Sequence, residues 1–259
     1  MRFKTIGLVL LVLFLLPVAI RAAVHTFVEK HPRSWRDADW SSAGLLPPAA
    51  ADPGARVLVL AGHTGGWRGI VAVHTWIVLK PERANRYTRY DVTGFGGPLH
   101  ANRWPPDGRW FGDHPTIVAD IRGPMAAAAI PRIEAAVGAY DYAKPGDYRL
   151  WPGPNSNTFV ATVLRSVPDL AIAMPAQAIG KDFRADGALI GLTASGTGIE
   201  AGLWGLAGAK LGWVEGLELN FLGLVAGLDW RQPALKLPGF GRIALIPVDT
   251  AQATGRSFR

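Results

Sequence analysis

Hydrophobic and polar positions divide the chain into distinct textures. Arg2 and Lys4 precede an apolar run from Ile6 to Ile20, with Pro17 its one proline. A secretory signal carries roughly 7–15 apolar residues and a spanning helix about 17–25, and this run falls between the two. Residues 1–23 are therefore read as an N-terminal membrane anchor or as a signal cut near Ala22 and Ala23. In both cases Arg2 and Lys4 stay inside by the positive-inside rule, and the remaining chain is exported. Residues 24–55 hold Pro32, Pro47, Pro48 and Pro53 and predict an extended linker. Trp35 and Trp40 interrupt its polarity, either as rings at the membrane interface or as packing on the domain.

From Arg56 the pattern becomes that of a folded core. Val57-Leu58-Val59-Leu60 reads as a buried strand, His63 to Gly69 as a glycine-rich turn, Ile70 to Lys80 as a second strand and Tyr87 to Val92 as a third. Residues 98–115 mix prolines with Trp104, Trp110 and Phe111 and predict a long ordered loop of the kind that forms lids or binding walls. A short strand at Ile117 to Ile121 precedes a helix marked by Ile130, Ile133, Val137 and Tyr140, in which Pro131 should introduce a kink or start a second piece. Asn155-Ser156-Asn157-Thr158 are helix-capping residue types, followed by the apolar face Phe159, Val160, Val163, Leu164 and Val167 up to Pro168. From Phe183 to Leu245 glycine recurs between apolar and aromatic residues, which predicts short antiparallel strands with tight turns. The fold class expected is α+β: an antiparallel sheet with packed helices over 56–170, and a glycine-rich antiparallel β extension over 171–259.

Composition narrows the chemistry. With no cysteine in 259 residues, disulfides, thiolate catalysis and Cys-ligated zinc are excluded. The net charge of +7 is spread singly along the chain, so no nucleic-acid arm is expected. A basic excess of this size suits either a mixed solvated surface or proximity to anionic lipid and cell-wall polymer. His63, His74, His100 and His114 lack metal-type spacing, and the glycines from Gly62 to Gly69 lack the partners of a phosphate cradle. No metal and no cofactor are expected.

The chemistry-bearing residues fall in separate segments. His74 lies in Val73-His74-Thr75-Trp76-Ile77, a strand apolar on both faces, where an imidazole is either a hydrogen-bonded core group or a catalyst. Ser156 lies at a helix start, where free N–H groups and the helix dipole favour negative charge. It either caps the helix with Asn155 and Asn157 or serves as an activated nucleophile beside an oxyanion site. Asp91, with Tyr90 behind it, is the candidate for orienting the imidazole. Glu200, Glu215 and Glu218 supply the carboxylates from which a glycosidase pair could be drawn.

His74-Thr75-Trp76, a further strand, a helical insert and then Asn155-Ser156 follow one another in the order of the circularly permuted papain-like superfamily, which this chain resembles. That superfamily includes NlpC-type cell-wall peptidases and lecithin retinol acyltransferase-like proteins. The string Trp-Pro-Gly-Pro-Asn-Ser-Asn-Thr-Phe at 151–159 also resembles an uncharacterised bacterial family of the domain-of-unknown-function series. The resemblance covers residues 56–170 and implies a site built on His74 and Ser156, to which Asp91 is the candidate third member. Trp76, Trp104, Trp110 and Trp151, with Asn155 and Asn157, are the residues expected against the substrate. Serine stands where the superfamily has cysteine. A hydroxyl is not ionised in advance by a neighbouring imidazole as a thiol is, so His74 has to act as general base during attack.

The expectation is a protein of the bacterial inner membrane, tethered through residues 1–23, with its domain in the periplasm or outside; after cleavage it would be free in the periplasm. It acts as a hydrolase or acyltransferase on amide or ester bonds of envelope peptide or lipid, or it is a catalytically silent envelope module that uses the same cleft for binding.

Overall fold

The computed structural model describes residues 2–32 and 34–246; residues 247–259 of the expected extension lie outside the described residues. Helix α1 (Arg2–Leu10) passes through a π-helical turn at Leu11–Leu15 into α2 (Leu16–Phe27), so the rod continues past the expected boundary at residue 23. Pro17 offers no N–H to the carbonyl four residues back, which accounts for the altered turn just before it. Gly7–Phe27 is a 21-residue stretch of mean hydropathy 2.5, long and apolar enough to cross a membrane or to serve as a signal segment. Phe14, Pro17, Arg21 and His25 form its buried stripe. The spacing is helical, and the stripe lies along the folded domain.

The first sheet is antiparallel, in the order β4-β3-β2-β1-β5, built from β1 (Arg56–His63), β2 (Val73–Lys80), β3 (Thr88–Val92), β4 (Leu99–Ala101) and β5 (Thr116–Arg122). Both of its faces are covered, which explains the unbroken apolar run at Val57-Leu58-Val59-Leu60. Val57, Val59, Ile77 and Leu79 meet the apolar sides of α3 (Pro124–Gly138) and α4 (Ser156–Arg165), where Ile133, Phe159 and Val163 are fully buried. Leu58, Leu60, Trp76 and Val78 face the other way, under Trp110, Trp40 and Trp104. Each such aliphatic burial stabilises the fold by about 1.5–3 kcal/mol. Pro131 lies on the exposed side of a single uninterrupted α3, so no second piece starts there.

The segment expected to carry the domain away from the bilayer instead lies against it. The buried Asp107 carboxylate accepts from Ser42 Oγ at 2.6 Å and from Leu45 N–H at 2.6 Å, and Trp40 packs edge-on against Trp110 at 5.1 Å. This straps the segment to the long loop over 98–115.

A second antiparallel sheet runs in chain order through β6 (Ile190–Leu192), β7 (Gly198–Leu203), β8 (Ala207–Gly212), β9 (Gly216–Phe221), β10 (Leu224–Asp229), β11 (Ala234–Leu237) and β12 (Gly241–Ala244). Leu222 and Gly223 both have positive φ, 54° and 86°, the conformation of a type I′ hairpin turn between β9 and β10. The inward face is charged. Glu218 lies between Lys181 and Lys236, with Lys236 Nζ at 2.6 Å, while Glu200 meets Lys210 at 3.0 Å, Arg184 at 3.0 Å and Arg165. Glu218 and both of its lysines are buried, so the pairing is what makes the charges tolerable there.

Glu218→Ala leaves two buried ammonium groups without their shared carboxylate and should cost about 3–5 kcal/mol. Asp169→Ala, which breaks the exposed pair with Arg132, should cost less than about 1 kcal/mol. Urea unfolding of the full chain in detergent checks both values.

Candidate functional site

The start of α4 is built by side chains. Asn155 is the N-cap: its Oδ1 accepts the N–H groups of Asn157 at 2.9 Å and Thr158 at 3.2 Å, and Thr158 Oγ1 accepts the Asn155 N–H at 3.1 Å. The Asn155 amide also donates to the Leu150 and Ile179 carbonyls. Gly180 is required beside it, with φ at +100° and no room for a Cβ, which would lie 2.3 Å from the Asn155 amide. Asn157 reaches across to β2. Its Oδ1 accepts Thr75 N–H at 3.1 Å and Thr75 Oγ1 at 2.8 Å, and its Nδ2 donates to Val73 O at 2.9 Å and Ile179 O at 2.8 Å. Helix and strand are thereby locked in register next to His74.

His74 heads a buried polar line. Its Nε2 lies 2.8 Å from Asp91 Oδ1, and Asp91 receives both Arg89 Nε at 2.7 Å and Nη2 at 2.8 Å. Arg89 donates onward to Pro105 O at 2.8 Å and lies 4.0 Å over the Trp76 ring. The imidazole stacks on Trp110, centroids 3.8 Å apart and planes within 8°. Burial lowers the His74 pKa against the opposing pull of Asp91. Asp91 is held below the usual carboxylate range although burial acts the other way, because Arg89 and then His74 favour its ionised form. Neutral His74 beside ionised Asp91 has its proton on Nε2, and Nδ1 carries the free lone pair. Among the described residues nothing hydrogen-bonds that nitrogen.

His74, Ser156, Asn155, Asn157 and Trp151 line one cavity of about 760 Å³. Its walls are largely apolar, with Trp67, Phe95, Trp110 and Leu222 among them. Ser156 Oγ and the Ser156 N–H have no hydrogen-bond partner among the described residues, whereas the N–H groups of Asn157 and Thr158 are taken by the cap. No hydrogen bond joins Ser156 to His74. Strand alternation turns Thr75 toward α4 and His74 toward Trp110, and the cavity includes residues from both sides. The Tyr148 phenol lines it too and is pushed up to about 12 by burial, so it stays a proton-bearing donor.

Trp76 and Trp104, expected against the substrate, do not line this cavity. Trp76 is fully buried and donates its indole N–H to Pro106 O, and Trp104 packs against Trp110 at 5.2 Å. Tyr90 points away from the imidazole, as its strand neighbour Asp91 faces it. Trp110, in the loop expected to form a binding wall, lines the cavity and stacks on the imidazole. Arg89 and Tyr148 have no place in the site expected from the sequence; Arg89 shares a strand face with Asp91 two residues on, a legible signal, while Tyr148 arrives on a loop. The glutamates that could have supplied a glycosidase pair are engaged elsewhere. Glu200 and Glu218 are held ionised by buried cations despite desolvation, and both Glu215 carboxylate oxygens accept from Ser195. One further cluster, His25, Glu29 and His31, brings its ligand atoms within 4.8 Å, with the Arg21 guanidinium already 3.0 Å from Glu29.

The fold and site thus define an α+β domain with a buried His–Asp–Arg line opening on an apolar cavity. Residues 54–183, which carry the first sheet, both core helices and every residue of that line, match the family described as protein of unknown function, DUF3750, and the chain belongs to it. No curated protein and no solved structure matches the chain.

Burial gives the site a pH signature. Unfolded His74 takes up a proton near 6.5, while the folded imidazole does so only at lower pH, so the stability it confers is complete above about 6.5 and declines as pH falls below it. His74→Asn should flatten that decline, as read from denaturation midpoints between about pH 7.5 and 5. Asn157→Ala strips the four hydrogen bonds of the strand–helix bridge and should cost several times as much as Ser156→Ala, which breaks no hydrogen bond among the described residues. Thermal unfolding of the two variants makes the comparison.

Proposed function

We propose that this chain is a membrane-tethered hydrolase or acyltransferase that acts through Ser156 on an amide or ester bond of an envelope peptide or lipid. One observation carries the reading: an imidazole fixed at Nε2 by a buried, ionised aspartate keeps Nδ1 free in a cavity that also holds an unbonded serine hydroxyl at a helix start. In this reading His74 Nδ1 takes the Ser156 proton as Oγ attacks the carbonyl carbon, and returns it to the departing amine or alcohol. Asp91 orients the ring, and Arg89 keeps Asp91 ionised. The Ser156 N–H and the Tyr148 hydroxyl are unbonded donors available to the developing oxyanion. The order of the His strand and the Asn155-Ser156 helix start supports a permuted papain-like ancestry with serine in place of cysteine. The apolar walls suit the acyl or side-chain portion of an amphiphile.

A second reading, a binding module without catalysis, is favoured by the missing Ser156–His74 hydrogen bond and by the two groups approaching from different faces of β2. A fluorophosphonate probe on the full chain in detergent separates the two. Catalysis predicts a covalent adduct at Ser156, absent in Ser156→Ala and slowed about 10²–10⁴-fold in His74→Ala. Because His74 titrates below its ordinary 6.5, the labelling rate should hold from about pH 7.5 to 6.5 and fall only at lower pH. Silence of the wild type across that range would leave the binding module.

A further inference from the structure

The second sheet is inverted relative to an ordinary soluble one. Glu200, Lys210, Glu218 and Lys236 are on the face that meets the protein, and the opposite face is aliphatic. Leu192, Ile199, Leu211, Leu217, Leu228 and Ile243 are linked by strand register, through Leu235, into one row across all seven strands. Ile199 is 62 % exposed, Leu211 53 % and Leu228 45 %. With strands about 4.8 Å apart and about 3.4 Å per residue, this face covers on the order of 500 Å², as large as the biggest apolar patches of soluble monomers.

The patch is continuous with the N-terminal rod. Phe221, on the same face of β9 as Leu217, meets Phe14 edge-on at 5.8 Å, and the other side of the rod exposes Val12, Leu15 and Leu16. Farther along the rod Arg21 packs against Gly239 and His25 against Gly69. A helix that enters a bilayer therefore brings the aliphatic face to lipid with it. Trp204, Trp213 and Trp230, in the turns at the two ends of this sheet, are exposed at positions suited to the interfacial region.

We infer that the aliphatic face of the seven-stranded sheet is a second membrane contact, bedded in the acyl region of the bilayer that holds the N-terminal helix. The inference rests on the tether reading of that helix. An open sheet cannot leave its edge strands in hydrocarbon, so the face lies on the lipid without the sheet crossing it. Leu222 and Leu224, from the β9–β10 hairpin, also line the cavity with His74 and Ser156. The cavity consequently opens beside the lipid contact, where an acyl chain reaches it without leaving the bilayer.

The absence of native cysteine allows single nitroxide labels at Val12→Cys, Ile199→Cys, Leu211→Cys and Arg83→Cys in the full chain, reconstituted in vesicles of mixed neutral and anionic phospholipid. All four positions are exposed, so labelling disturbs no packing. The expected result is several-fold greater relaxation by oxygen than by a water-soluble nickel complex at 12, 199 and 211, and the reverse at 83. Lipid-like values at 12 with water-like values at 199 and 211 would overturn the inference and leave the tether standing. Shielding of 199 and 211 from both reagents would also overturn it, in favour of a protein cover such as a second copy of the chain. Water-like values at 12 as well would remove the tether and the inference together.

Discussion

Asn157 is the joint on which the candidate site depends. One side-chain amide binds the backbone on either side of His74 and the carbonyl of Ile179, and so fixes three chain segments, two of them more than eighty residues apart, at one point. Four hydrogen bonds at a single buried amide satisfy both of its donors and both of its acceptor lone pairs, which is the condition under which a buried polar group stabilises rather than penalises a fold. Asn155 does the corresponding work for the helix itself. With both amides committed, Ser156 between them is left as the one hydroxyl of this turn without a structural partner, facing the cavity.

Charge is distributed by the same logic of satisfaction. Arg89, Asp91 and His74 form a closed line in which the guanidinium ionises the carboxylate and the carboxylate orients the ring, all packed between tryptophans that exclude water. Under the second sheet, its glutamates pair with lysines of the sheet and with lysine and arginine side chains of the segments packed against it. Burying ions on the protein side frees the other side to be apolar. Such an arrangement is costly in water, where the aliphatic face finds no partner, and favourable against hydrocarbon.

The two sheets share a relation to the N-terminal rod. Gly69, after the first strand, and Phe221 and Gly239, in the second sheet, all lie along its buried stripe. The rod is therefore part of the domain's packing as well as a candidate span, and the cavity is formed where its neighbours converge, with Trp67 on one wall and Leu222 on another.

What the sequence determined by itself were the local features: the apolar N-terminal run, the buried strands at Val57 to Leu60 and Val73 to Lys80, the helix start at Asn155 to Thr158 and the short glycine-punctuated strands after Phe183. These follow from side-chain period, capping chemistry and turn residues, which act over a few positions. The approach of Asp91 to His74 was also legible, as both belong to strands that the pattern brings together. What only the tertiary structure decided was which residues face the cavity. Trp76 on its strand and Trp110 in its loop carry the same side chain, yet one is sealed beneath a guanidinium and the other stacks on the imidazole, because the loop closes over one face of the sheet. The inversion of the second sheet was hidden for a related reason: alternation reveals that a strand has two faces, but the identity of the face that meets protein depends on partners distant in the chain, here Arg165, Lys181 and Asp182.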